Sequence, residues 1–235
     1  MDRLDVVLLC FFIQGCIAKE STTQDPRKIP PLKWNDGQKK IAEGVTLDAY
    51  VIYDYKNYSK KPDGNVTAYF KRLFNLTQQH FNNNSVMVTI NVRNITKNRK
   101  LEVKMQRPKR TLNGNATLER LQNFSSFHSL PNNSVVYLYT NKTLDLKDYM
   151  GAAVPDGFST LSTFGTLCSK VRSAAIIVQP PGKPGYWPNV KATAAVFGTK
   201  RYFRFTDDDI KEMNKTLSRC HVNKADVSEE SDEEE

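Results

Sequence analysis

VTLDAYVIY, residues 45–53, reads as a buried strand: it is β-branched and aromatic, and Gly44 and Asp54 bound it. A helical pattern follows. Val66, Tyr69, Phe70, Leu73, Phe74, Thr77, His80 and Phe81 recur at three- and four-residue spacing, which places them on one helix face. SVMVTINV (85–92) alternates and predicts a second strand, and Leu101, Val103 and Met105 alternate again as its expected hairpin partner. Residues 116–127 return to helical spacing through Leu118, Leu121 and Phe124; SVVYLYT (134–140) and SAAIIV (173–178) read as strands. Thr206 caps a last helix, with Asp207, Asp208 and Asp209 in its first turn where the dipole favours acids, and Ile210, Met213 and Leu217 as its apolar face. Strands alternating with helices predict an α/β sandwich of mixed sheet and packed helices.

Outward from this body the chain changes character. Residues 1–18 carry an apolar run, Val6 to Ile13, too short to span a bilayer, then small residues ending at Ala18; this reads as a secretory signal, so the product is expected to be secreted. No later stretch reaches membrane-spanning length. Residues 19–44 are polar, hold Pro26, Pro30 and Pro31, and read as an extended lead-in. Residues 45–220 form the expected domain, and 221–235 a disordered acidic tail with seven acids against Lys224. Setting aside tail and signal, the +9 of the whole chain becomes about +16 on the body. A surface this basic attracts anionic partners.

The signal takes Cys10 and Cys16 with it, leaving Cys168 and Cys220. In an oxidising compartment their default is one disulfide, stabilising by roughly 3–4 kcal/mol over a loop of about fifty residues. Two unpaired thiols or a metal site are the alternatives. Asn-x-Ser/Thr occurs at Asn57, Asn65, Asn75, Asn83, Asn94, Asn115, Asn123, Asn132, Asn141 and Asn214, so each of these side chains is expected to reach solvent. The run 97–110 holds Lys97, Arg99, Lys100, Lys104, Arg107, Lys109 and Arg110; on a hairpin most of this charge would share one face, a candidate site for a sulfated glycan or another anionic surface. Few histidines, with the two remaining cysteines expected to be bridged, leave no Ser-His-Asp or Cys-His arrangement, and a secreted glycoprotein is not expected to bind nucleic acid.

Four stretches together resemble the catalytic domain of the reprolysin-type metzincins, most closely the salivary metalloproteases of ticks: AYVIYDYKNYSK (49–60), NATLERLQNFSSF with SVVYLYTNKTL (115–144), FGTLCSKVRSAAIIV (164–178) and PGYWPNVKATAAVFG (184–198). The resemblance implies a zincin-type sandwich with a mostly parallel sheet and a Cys168–Cys220 disulfide. It also implies a zinc helix in the fourth stretch. There the family carries His-Glu-x-x-His, whose histidines bind zinc while the glutamate activates its water. Placing Gly198 before the second histidine puts Ala195, Val196 and Thr199 at the histidine, glutamate and histidine positions, and Phe205 at the third histidine. Alanine, valine and phenylalanine offer no lone pair, and a threonine hydroxyl is a poor zinc ligand. His80, His128 and His221 are the only histidines, and they are far apart. Thr206 opens the last helix where the family's methionine turn belongs, so the C-terminal subdomain reads as truncated. The expectation is a non-catalytic relative with no cofactor, acting by binding an extracellular host protein, or alternatively a sulfated glycan; residual metalloendopeptidase activity is the remaining alternative.

Overall fold

The computed structural model describes residues 39–54, 65–107, 110–145 and 159–220, all within one compact unit. The signal, most of the lead-in, the acidic tail, Asn57, Lys109 and His221 lie outside the described residues. The elements are β1 (Thr46–Tyr53), α1 (Val66–Asn83), β2 (Thr89–Lys97), β3 (Thr111–Asn113), α2 (Gly114–Phe127), β4 (Ser134–Thr140), β5 (Thr143–Asp145), β6 (Thr160–Ser162), β7 (Ser173–Val178), α3 (Trp187–Phe197) and α4 (Asp207–Leu217). A five-stranded sheet runs β2-β1-β4-β7-β6, and β3 pairs β5 apart from it. All pairings are parallel except β6 with β7. The architecture is therefore α/β, with a mixed, mostly parallel sheet and packed helices.

Side-chain alternation along the central strands builds two cores. Leu47, Ala49 and Val51 of β1, Val135, Tyr137 and Tyr139 of β4, and Ala175 and Ile177 of β7 join α1, α3 and α4 on one face. Ile52, Val136, Leu138, Ala174 and Ile176 point the other way and meet Leu121 of α2. Strands buried on both faces explain why these segments read as near-continuous apolar runs. The helix ends follow from their caps. Asn65 Oδ1 accepts from the backbone N–H groups of Thr67 and Ala68 at the start of α1. Thr206 and Asp209 form a capping box on α4.

Two expectations need correction. Thr89–Lys97 lies parallel to β1 rather than in a hairpin with residues 101–105. Alternation reports one buried face but does not choose a partner. Here α1 carries the chain back so that β2 can extend the sheet, and Leu101 packs toward the α2 core instead. The other correction concerns the lead-in, whose end is not a plain connector: Ile41 is buried and bridges Val86.

Gly198 ends α3 at φ 100°, and a Cβ there would lie 2.9 Å from Thr216 Oγ1. Gly198→Ala therefore combines a left-handed backbone with a clash, and should lower unfolding stability by about 1–3 kcal/mol. Chemical denaturation would show this as a lower midpoint at unchanged slope; an unchanged midpoint would refute it.

Candidate functional site

α3 is the helix that the sequence singles out. Pro188 stands in its first turn, and no side chain caps its start. Its inward polar groups are paired across the core: Tyr139 OH donates to Asn189 Oδ1, Asn189 Nδ2 donates to Thr77 Oγ1 at 3.2 Å, and Tyr137 OH meets Thr193 Oγ1 at 3.0 Å. Burial pushes the Tyr137 phenol well above its ordinary range. These contacts hold the helix on β4 and α1.

The last turn of α3 receives a strap from β6. Gly165 N–H donates to Ala195 O at 2.9 Å, and Thr166 N–H to Val196 O at 3.1 Å. Cys168 at the end of the strap is bonded to Cys220 beyond α4, with Cα atoms 5.1 Å apart. Arg219 Nη2 donates to Gly165 O at 2.6 Å. Strap, α3 and α4 are thus one connected region.

Within it, each singled-out position is committed to packing. Ala195 is half-buried and Val196 buried on α3. Thr199 is buried, but it lies beyond the helix, so the expected one-turn spacing from Ala195 along a continuous helix is not present; left-handed Gly198 breaks it. The Thr199 hydroxyl donates to Asp209 Oδ1 at 2.6 Å and accepts from Arg201 N–H at 3.1 Å. Phe205 is buried and stacks on Phe81 with centroids 5.5 Å apart, beside His80 at 5.8 Å. Hydrogen bonds from Thr199 and Thr206, with Arg201 nearby, hold the Asp209 carboxyl below the usual carboxylate range despite its partial burial.

His80 faces the core as its helix position implied. Its Nε2–H donates to Tyr202 O at 2.9 Å, while buried Nδ1 has no partner. Desolvation lowers its pKa to about 4, against the opposing pull of the Tyr202 carbonyl. Below pH 6.5 the unfolded chain takes up a proton that the folded chain refuses until about pH 4. Stability should be flat above pH 7 and fall by up to about 3 kcal/mol between pH 6.5 and 4 through this residue. His80→Gln keeps a donor for Tyr202 O and should flatten that part of the profile; an unchanged slope would count against the assignment.

His128 stands apart at the exposed C-terminal end of α2, its ring tilted against Phe124 with centroids 4.2 Å apart. Among the described residues no three His, Cys, Asp or Glu side chains are grouped to hold a metal ion, and no helix is long and apolar enough to cross a membrane. The nine described sequon asparagines are all exposed or half-exposed. They lie on α1 (Asn65 at its cap, Asn75, Asn83), β2 (Asn94), α2 (Asn115, Asn123), the two ends of β4 (Asn132, Asn141) and α4 (Asn214). Of the basic residues of 97–110, Lys97, Arg99, Lys100, Lys104, Arg107 and Arg110 are all exposed. Arg99 Nε donates to Asp54 O at 2.6 Å, the Lys104 backbone bridges Leu112, and Arg110 takes a left-handed backbone at φ 66°. Sequence reasoning missed a buried charged group, Asp54, Glu102 and Lys142, drawn from three separate segments.

No family model and no curated protein matches the chain in sequence. In structure it is similar to metalloproteinase-II from Bacteroides fragilis, at TM-score 0.43 and 12% identity over 82% of this chain and 58% of that one. It is also similar to a chain of a chaperone–substrate complex, at TM-score 0.48 and 10% identity over 75% of this chain and 35% of that one. The chain thus spans little more than half the length of the first and about a third of the second. Both likenesses concern α/β architecture alone.

Proposed function

We propose that this chain is a secreted, N-glycosylated relative of the reprolysin-type metzincins, of the tick salivary kind, which binds a host extracellular protein without cutting it. One observation carries the reading: the positions that the resemblance assigns to zinc chemistry are filled by Ala195, Val196, Thr199 and Phe205, and these are built into the packing of α3, α4 and the strap. The register does not rescue the site. Gly198 can be matched instead to the glycine of His-Glu-x-x-His-x-x-Gly-x-x-His, since it closes the helix with a left-handed turn. The ligand positions then become Lys191, Ala195 and Arg201, with Ala192 for the glutamate. Two cations and an alanine do not hold zinc.

A binding surface is supported by where the sequons are missing. None occurs between Asn141 and Asn214, a stretch that includes β6, the strap, α3 and residues 199–206. Phe164 and Phe203 are about half exposed there, and Phe203 packs on Trp187 with centroids 4.9 Å apart. Aromatic and arginine side chains clear of glycans have the composition of a protein-binding patch.

Metal analysis of the secreted, glycosidase-sensitive protein tests the enzymatic side. The expected result is far less than one zinc per chain and no chelator-sensitive cleavage of denatured collagen or casein. Stoichiometric zinc together with such cleavage would overturn the reading.

A further inference from the structure

The sheet order reverses between β1 and β4: β1 is followed by β2 on one side, and β4 is added on the other. The carboxyl ends of strands at such a reversal form a crevice in α/β sheets. Three ionisable side chains meet there. Asp54 follows β1 and is 1% exposed. Glu102 comes from the turn after β2, its side chain 0% exposed, and Lys142 from the turn after β4, its side chain 18% exposed. Lys142 Nζ lies 2.6 Å from Asp54 Oδ2 and also contacts Glu102 Oε1. Thr140 Oγ1 donates to the same Asp54 oxygen at 2.8 Å.

The other two carboxyl oxygens, Asp54 Oδ1 and Glu102 Oε2, are buried without a hydrogen-bond partner among the described residues. Both carboxyls lie against the same Lys142 ammonium. Burial first, and the neighbouring Asp54 carboxyl with it, push the Glu102 carboxyl up, which favours its protonated form. The cluster sets one amine against two carboxyls. An ion pair this dry carries a desolvation cost that a neutral amine and acid avoid. Leu101 and Leu144, next to Glu102 and near Lys142 in sequence, pack on the α2 core.

We propose that this cluster is a self-modification site: Lys142 Nζ and Asp54 Cγ condense to an intramolecular isopeptide bond, with Glu102 relaying the protons. Glu102 gives its proton to the Asp54 carboxylate and takes one from the Lys142 ammonium, leaving a neutral amine beside a neutral acid. The nitrogen lone pair attacks Asp54 Cγ, and the C–N bond forms. Glu102 passes a proton to the departing hydroxyl and accepts one from nitrogen. The C–O bond breaks and water leaves. Ammonium and carboxylate have become an amide and one water, with Glu102 restored and nothing oxidised or reduced. Thr140 is placed to donate to the carbonyl oxygen in both states.

Peptide mapping of the reduced, deglycosylated, full-length secreted protein tests this. The expected result is a cross-linked species joining the peptides of Asp54 and Lys142, one water lighter than their sum, in most of the wild-type molecules. Glu102→Gln, similar in shape but without an acid, should cut that species at least tenfold while circular dichroism shows a retained fold. Lys142→Arg keeps the positive charge and should abolish it. Linear peptides of full mass throughout the folded wild type would overturn the proposal, and equal cross-linking in Glu102→Gln would overturn the role of Glu102.

Discussion

Replacing both Cys168 and Cys220 by alanine is expected to lower unfolding stability by about 4 kcal/mol, the chain-entropy value for a closed loop spanning 52 residues. For a domain of this size that corresponds to a melting temperature roughly 8–16 °C lower. The loop encloses β7 and α3 together with α4, so without the bond the unfolded chain regains the freedom of that whole stretch. A local loss should accompany it. The strap is held on α3 by Gly165 and Thr166 and on α4 by Arg219, with the cystine at its end. Hydrogen exchange should therefore rise first at the amides of residues 165–168. A double variant within about 1 kcal/mol of wild type would mean that packing of α4 through Met213 and Leu217 already fixes this end of the chain.

What was legible in the sequence follows from how each element is buried. SVVYLYT and SAAIIV became β4 and β7 at the residues expected, because strands covered on both faces leave uninterrupted apolar runs. Helix α4 was legible to the residue from Thr206 and its three aspartates, since a capping box is a local device. The hairpin over 85–105 failed for a different reason. β2 is an edge strand, and its continuation to Lys97 carries a single apolar residue, Ile95, too few for a periodicity to register. Nor does a local pattern reveal whether a strand turns back on itself or crosses over to a neighbour. Three-residue strands such as β3, β5 and β6 are too short for any periodicity to register.

The site divides in the same way. The loss of lone-pair donors at Ala195, Val196 and Phe205 was readable from residue identity alone, whichever register is chosen. The break of α3 at Gly198 was not, because a glycine inside an apolar helical run can be tolerated or can end it; the close approach of Thr216 and Gly165 decides for the end. The buried charged group was out of reach of sequence reading. Lys142 lies 88 residues from Asp54 and 40 from Glu102, and each stands in a polar stretch that reads as a loop.

The sequon-free surface gives the sharpest test of binding. Arg204→Asn turns residues 204–206 into an acceptor sequon, since Phe205 and Thr206 already follow it. Arg204 is exposed and borders a shallow basin of about 470 Å³ lined also by Lys200, Arg201, Tyr202 and Phe203. A glycan at this position would stand over the basin and beside the Trp187–Phe203 pair. Arg204→Gln removes the same cation without adding sugar, so the difference between the two variants isolates the bulk of the glycan. The protein that wild type retains from host plasma, identified by mass spectrometry, should be retained at least tenfold less by the glycosylated Arg204→Asn form, a loss of about 1.4 kcal/mol or more. Arg204→Gln should keep most of the binding, because a rim cation mainly tunes the rate of encounter. Enzymatic removal of the added sugar should restore retention, which separates shielding from misfolding. If the fully glycosylated variant holds the partner as tightly as Arg204→Gln, the binding surface lies elsewhere, among the elements that already carry sequons. In that case the bare stretch from 142 to 213 is bare because α3, α4 and the strap need it for packing.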